Sequence, residues 1–169
     1  MSMPIFNVKS GKIRISDPCY DKDDLLGGII IPAKNGEWVA SAEVKNTSWD
    51  ERVISLTAEF NGPFLRLHRE EESISVDSGQ AGIFDLNSYK NDSCVKDVER
   101  VHNQTICEDE PWYSICCDRT LSKFQWGVIP NGVVSSSGYG DGTYEVSYFV
   151  DKDGNAVRIE IDFIEEEDS

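Results

Sequence analysis

The chain has 169 residues, 39% of them hydrophobic and 28% charged, with four Trp, seven Phe and six Tyr. That composition excludes a disordered chain and places the protein on the polar side of the globular class. Its net charge of −15, from 16 basic and 31 acidic residues, repels phosphate, so direct nucleic-acid binding is not expected. No apolar run approaches the roughly 20 residues that span a bilayer, and no basic segment leads into an apolar stretch at the start. A cytoplasmic location without membrane attachment is the expectation.

Residues 5–18, "IFNVKSGKIRISDP", alternate in β fashion on both sides of Ser10-Gly11, with Phe6, Val8, Ile13 and Ile15 on the apolar positions. The pattern predicts a half-buried hairpin, stopped at Asp17-Pro18. "GGIIIPAKNGEWVASAEVKN" predicts a short apolar strand and a longer one joined at Asn35-Gly36, the strongest short hairpin signal. In the next stretch Ile54, Leu56, Ala58 and Phe60 form the apolar set. A turn at Asn61-Gly62-Pro63, a short strand at "FLRLH" and two strands around Ser78-Gly79 follow. Residues 87–110 are polar and weakly periodic, and read as an insertion. One short helix is expected over about 111–121, with Pro111 in its first turn and Trp112, Ile115 and Cys116 on one face. Two long strands close the chain as a C-terminal hairpin: Tyr144, Val146, Tyr148 and Val150 face Val157, Ile159, Ile161 and Phe163. No internal repeat is evident. The fold class is therefore mainly β, an antiparallel sandwich or barrel-like sheet, in a single domain over 1–164. The acidic tail 165–169 carries four of the negative charges and leaves −11 on the rest.

The five cysteines, Cys19, Cys94, Cys107, Cys116 and Cys117, are odd in number and irregular in spacing, which argues against a disulfide framework. Cys94, His102, Cys107 and Cys116 or Cys117 include zinc-ligand types but no C-x-x-C knuckle, so small buried thiols are favoured. Cys19 or Cys117 with His102 supplies the groups of a Cys–His nucleophile without any local signature for one. "DKDGNAVRIE" places Gly154 and Glu160 out of register for an EF-hand, so a hairpin turn is preferred. "SGYGDG" lacks the Lys-Ser/Thr and the following helix of a phosphate loop, and reads as a strand-entry turn tied down by Asp141. The remaining constellation is Asp17, Asp77, Asp85 and Asp141, each beside a turn. Gathered at one end of the sheets, they would bind a polar ligand or a divalent cation, with Tyr144 nearby. The sequence requires no cofactor, and such a cation is the one option it offers.

Four stretches, "SGKIRISDP", "VDSGQAGIFD", "PWYSICC" and "SSSGYGDGTYEVSYFVDKDGNAVRIEIDF", together resemble an uncharacterised family of bacterial and phage proteins. That family has an SG…DP motif near the N-terminus, a central DxG and a C-terminal SGxGDGxY…DF. The long polar segment after Asp85 departs from its pattern. The resemblance implies a mainly β fold and a phage or bacterial setting, and transfers no catalytic residue. The expected function is accordingly a non-catalytic binding protein that takes a bacterial protein or a small ligand, for example a phage-encoded modulator of its host. The alternative is a metal-dependent hydrolase built on the turn aspartates.

Overall fold

The computed structural model describes residues 4–24, 27–48, 50–102 and 107–164. Its elements in order are β1 (Ile5–Val8), β2 (Lys12–Ser16), β3 (Ile29–Pro32), β4 (Gly36–Thr47), β5 (Asp50–Phe60), β6 (His68–Val76) and β7 (Gln80–Asp85). Then come α1 (Pro111–Thr120), β8 (Trp126–Ile129), β9 (Gly132–Ser136), β10 (Gly142–Val150) and β11 (Ala156–Asp162). Two antiparallel sheets result. The six-stranded sheet runs β1-β4-β5-β11-β10-β6 and the five-stranded sheet β3-β2-β7-β9-β8.

The interior lies between the sheets, where alternate residues of both meet. Phe6, Val8, Trp38, Ala40, Leu56, Ala58, Val146, Ile159 and Ile161 come from one side, and Ile13, Ile15, Ile83 and Val133 from the other. A register shift between Glu43 and Val44 lets Val53 join the β5 apolar set, because one extra residue reverses the parity of a strand. The C-terminal hairpin forms as expected, with Val146 opposite Ile161 and Tyr148 opposite Ile159.

Two of the expected hairpins are something else. β1 pairs with β4 and β2 with β3 and β7, so Ser10-Gly11 carries the chain from one sheet to the other. Asn35-Gly36 makes the return crossing from β3 to β4. Alternation shows that two strands bury one face each. It does not show whether those faces lie side by side or opposite each other across a sandwich. The "FLRLH" stretch is also not a strand over most of its length, since β6 begins only at His68.

The outer face of the five-stranded sheet is covered. Phe84 and Val134 point away from the interior and meet Tyr89, Val95, Trp112, Ile115 and Cys116 in a second apolar cluster. The residues after Asp85 are thus no bare loop. They form 3-10 turns at Leu86–Ser88 and Asp92–Val95 that deliver Tyr89 and Val95 to this cluster. They also cap the helix: Glu110 makes no side-chain cap, and the Asp92 carboxylate accepts the Trp112 N–H at 3.0 Å. Gly82 fits the layer because a Cβ there would meet the Phe84 ring at 2.3 Å.

Candidate functional site

The turn aspartates do two different jobs. Asp17 is fully buried and accepts four hydrogen bonds: Cys19 N–H (2.8 Å) and the Ser78 hydroxyl (2.6 Å) at Oδ1, Asp77 N–H (2.8 Å) and Ser78 N–H (2.6 Å) at Oδ2. Four donors fill the lone-pair capacity of a carboxylate. Asp85, also buried, accepts Lys9 N–H (2.9 Å), Ser10 N–H (2.9 Å) and the Ser10 hydroxyl (2.8 Å) at Oδ1. Each clamps a Ser-Gly corner where the chain passes between sheets.

The two clamps are copies of each other. Residues 5–17 align with 73–85, with Val, Ser, Gly, Ile and Asp identical at 8/76, 10/78, 11/79, 15/83 and 17/85. Gly11 and Gly79 share φ values of 74° and 71°. β2 and β7 run antiparallel, so the aspartate ending each strand reaches the Ser-Gly that begins the other. An internal repeat is therefore present, contrary to expectation. With few identities, none contiguous beyond Ser-Gly, it becomes visible only when the reciprocal hydrogen bonds are traced.

This geometry also corrects the shared carboxylate site. Asp85 lies opposite Ile13, four residues from Asp17 and so about 13 Å away along the strand. Asp17, Asp77 and Asp141 collect at one end, and Asp85 is at the other. Asp77 accepts the Tyr20 hydroxyl at 2.9 Å. Asp141 is exposed and does not tie its turn down. That turn is held by the Ser137 hydroxyl on Gly140 O (2.9 Å), by Gly140 N–H on Ser137 O (2.9 Å), and by the Tyr144 hydroxyl at the Ser137 and Gly140 carbonyls. Burial pushes the Tyr144 phenol up, the Ser137 contact opposes this, and the Asp141 charge adds to it. Among the described residues no three His, Cys, Asp or Glu are placed to hold a metal ion.

Cys19, Cys116 and Cys117 are poor nucleophiles where they sit. Burial, and then the Asp17 carboxylate, push the Cys19 thiol up to about 12. Burial likewise raises Cys116 and Cys117, against the hydrogen bonds that Gln80 and Tyr113 direct at Cys117. Gln80 serves as a strut: its Oε1 accepts the Thr120 hydroxyl at 2.7 Å and its Nε2 lies 3.6 Å from Cys117 Sγ, joining β7 to α1. The buried Arg14 donates to Lys22 O (3.0 Å) and Asp24 O (2.7 Å) and stacks over Tyr89 at 4.1 Å.

A concave feature lies elsewhere, on the outer face of the six-stranded sheet. Glu43, Ser55, Asp162 and Glu145 are successive register partners across β4, β5, β11 and β10. They form one row with about 4.8 Å between strands. Glu160, on the same strand and face as Asp162, stands opposite Ser147. A groove of about 750 Å³ runs here, lined by these four carboxylates, by Tyr144 and by the apolar Ile54, Phe163 and Ile164. Of the expected site residues only Tyr144 borders it. The groove acids are the polar half of the alternation whose apolar half predicted the hairpin. A polar alternate set signals an outward face but does not say that other strands line up acids beside it. In comparison with known proteins, no family model, no curated protein and no solved structure matches the chain.

Proposed function

We propose that this chain is a non-catalytic binding protein that holds a basic protein partner on the outer face of its six-stranded sheet. The row Glu43–Ser55–Asp162–Glu145 carries the reading. Glu145 lies directly opposite Asp162, and like charges so placed destabilise a sheet. Four carboxylates on one face concentrate negative potential there, with Lys45 3.4 Å from Glu43 and Arg158 4.0 Å from Glu160 as the cations beside them. Such a field speeds encounter with a cationic surface and selects against anionic ones. The resemblance to phage and bacterial proteins favours a host protein as the partner and a modulating role. The metal-dependent hydrolase reading is weaker, because Asp17 and Asp85 spend their oxygens on the corners.

The test is capture of partners from bacterial lysate at low and moderate salt, repeated with Glu145→Gln/Asp162→Asn as bait. A partner retained at low salt, released as salt rises and lost with the double variant is expected. Recovery of no partner under either condition would count against the proposal.

A further inference from the structure

We infer that the chain forms a two-fold dimer by pairing the outer edge of β4, over residues 41–47, with the same segment of a second copy. That edge is open because β1 covers only the first part of β4. Ile5, where β1 begins, stands opposite Val39, and the last bond across is Ala40 N–H on Pro4 O at 2.8 Å. β4 itself continues to Thr47, paired on its other side with β5 as far as Asp50. Backbone groups of successive residues point to opposite edges of a strand. Ala40 faces the β1 side, and the extra residue of the register shift, Ile54, lies in β5. Ala42, Val44 and Asn46 therefore keep to the β1 side. Among the described residues, no backbone group of these three is bonded across that edge.

The segment is complementary to itself. Antiparallel pairing centred on Val44 sets Val44 against the partner's Val44 and Ala42 against the partner's Asn46, and each such pair exchanges two N–H···O bonds. Glu43 then falls opposite the partner's Lys45 in the intervening pairs, whose side chains come closest. Within one chain Lys45 Nζ lies 3.4 Å from Glu43 Oε1, so the dimer closes two such pairs into a ring of alternating charge. On the other face Val44, apolar yet 37% exposed, is covered by the partner's Val44. The remaining edges do not offer this. β6 carries Glu70, Glu71 and Glu72 in a row, and pairing it with itself about any of them sets like charges together. Its far end is taken by Ser75 N–H on Gly27 O. β1 and β3 have four residues each, and β3 ends on Pro32. β8 is equally short, and the Arg119 guanidinium donates to its Val128 carbonyl at 3.0 Å. Pairing through β4 lays the two six-stranded sheets side by side, with both acidic faces turned the same way, since the two-fold runs perpendicular to the sheet. The dimer goes beyond the partner-binding reading and does not rest on it.

Sedimentation equilibrium from about 1 to about 500 μM tests this, in about 150 mM salt to screen the repulsion between two chains of net charge −15. The mass is expected to rise from 19.0 kDa toward twice that value. Half-dissociation should fall at about 10–100 μM, because one strand edge is at the small end of specific interfaces. Glu43→Lys and Lys45→Glu each set like charges across the edge and should weaken the dimer at least about tenfold. Mixed in equal amounts, the two variants restore opposite charges and should associate with each other as tightly as wild type. Val44→Pro removes the N–H at the axis, which a single chain leaves unbonded, and should hold the mass at 19.0 kDa. Hydrogen exchange at the Val44 amide of wild type should slow as concentration rises. A wild-type mass of 19.0 kDa throughout, a dimer indifferent to both charge reversals, or no association in the mixture overturns the inference. So does a Val44 amide equally protected at every concentration, which would put the chain's own residues on the edge.

Discussion

The two sheets present opposite solutions to the same problem. The five-stranded sheet buries its outer face under α1 and the residues that follow Asp85, with Trp112 stacked edge-on against Phe84 (5.1 Å) and Tyr89 (4.9 Å). The six-stranded sheet has no described helix over its outer face and dresses it with carboxylates and small hydroxyls. A sheet has two faces and a sandwich covers only one of each. The uncovered side must then be either roofed with apolar residues or made polar. Where α1 and the residues after Asp85 lie over the sheet, the face is structural. Where Glu145 stands opposite Asp162, the face is polar.

Substitutions can break this contrast at decreasing cost. Trp112→Ala strips the roof and should destabilise by about 4 kcal/mol in urea unfolding. Asp17→Ala leaves the donors of Cys19, Asp77 and Ser78 unanswered at a corner joining the sheets. A loss of about 3 kcal/mol is expected, and Asp85→Ala should behave alike because the corners are copies. If only one of the two variants is destabilised, the equivalence of the corners is wrong.

Asp118 ties the roof to the preceding segment. Burial disfavours its charge, but the N–H groups of Val101 and His102 and the Arg119 guanidinium prevail and hold its carboxyl below the usual range. A carboxyl lowered in the folded state stabilises above its unfolded value and loses that contribution as pH falls through the folded one. Asp118→Asn should therefore cost about 1–2 kcal/mol at pH 7, with the gap from wild type closing below about pH 4. The smallest effect has the opposite sign. Glu145→Gln relieves the like-charge pair and should stabilise by about 0.5 kcal/mol, a gain that shrinks in high salt. A stability loss instead would mean that the open face is structural after all.

The elements that could be read from the chain were those with a local cause. Pro111 and the Trp112, Ile115, Cys116 spacing mark the helix, and the Tyr144–Val150 alternation marks its strand, because backbone period and burial act over a few residues. Asp17 and Asp85 could be recognised as turn residues, but their donors lie in Asp77 and Ser78, and in Lys9 and Ser10, on distant parts of the chain. The corner at Ser10-Gly11 replaced one of the expected hairpins. The groove was the least legible feature. Its carboxylates come from β4, β10 and β11, and no strand contains more than a pair of them.

The amino-acid order by itself determined most of the strands, though not β8 and β9 and wrongly one at FLRLH, where the helix starts, which residues are apolar and that the surface is strongly acidic. Only the tertiary structure decided which sheet each strand joins, that the two Ser-Gly corners clamp one another, and which acids share a face. The physical reason is that periodicity is local, whereas register is set between strands far apart in the chain. Hydrogen-bond satisfaction and charge proximity follow from that register.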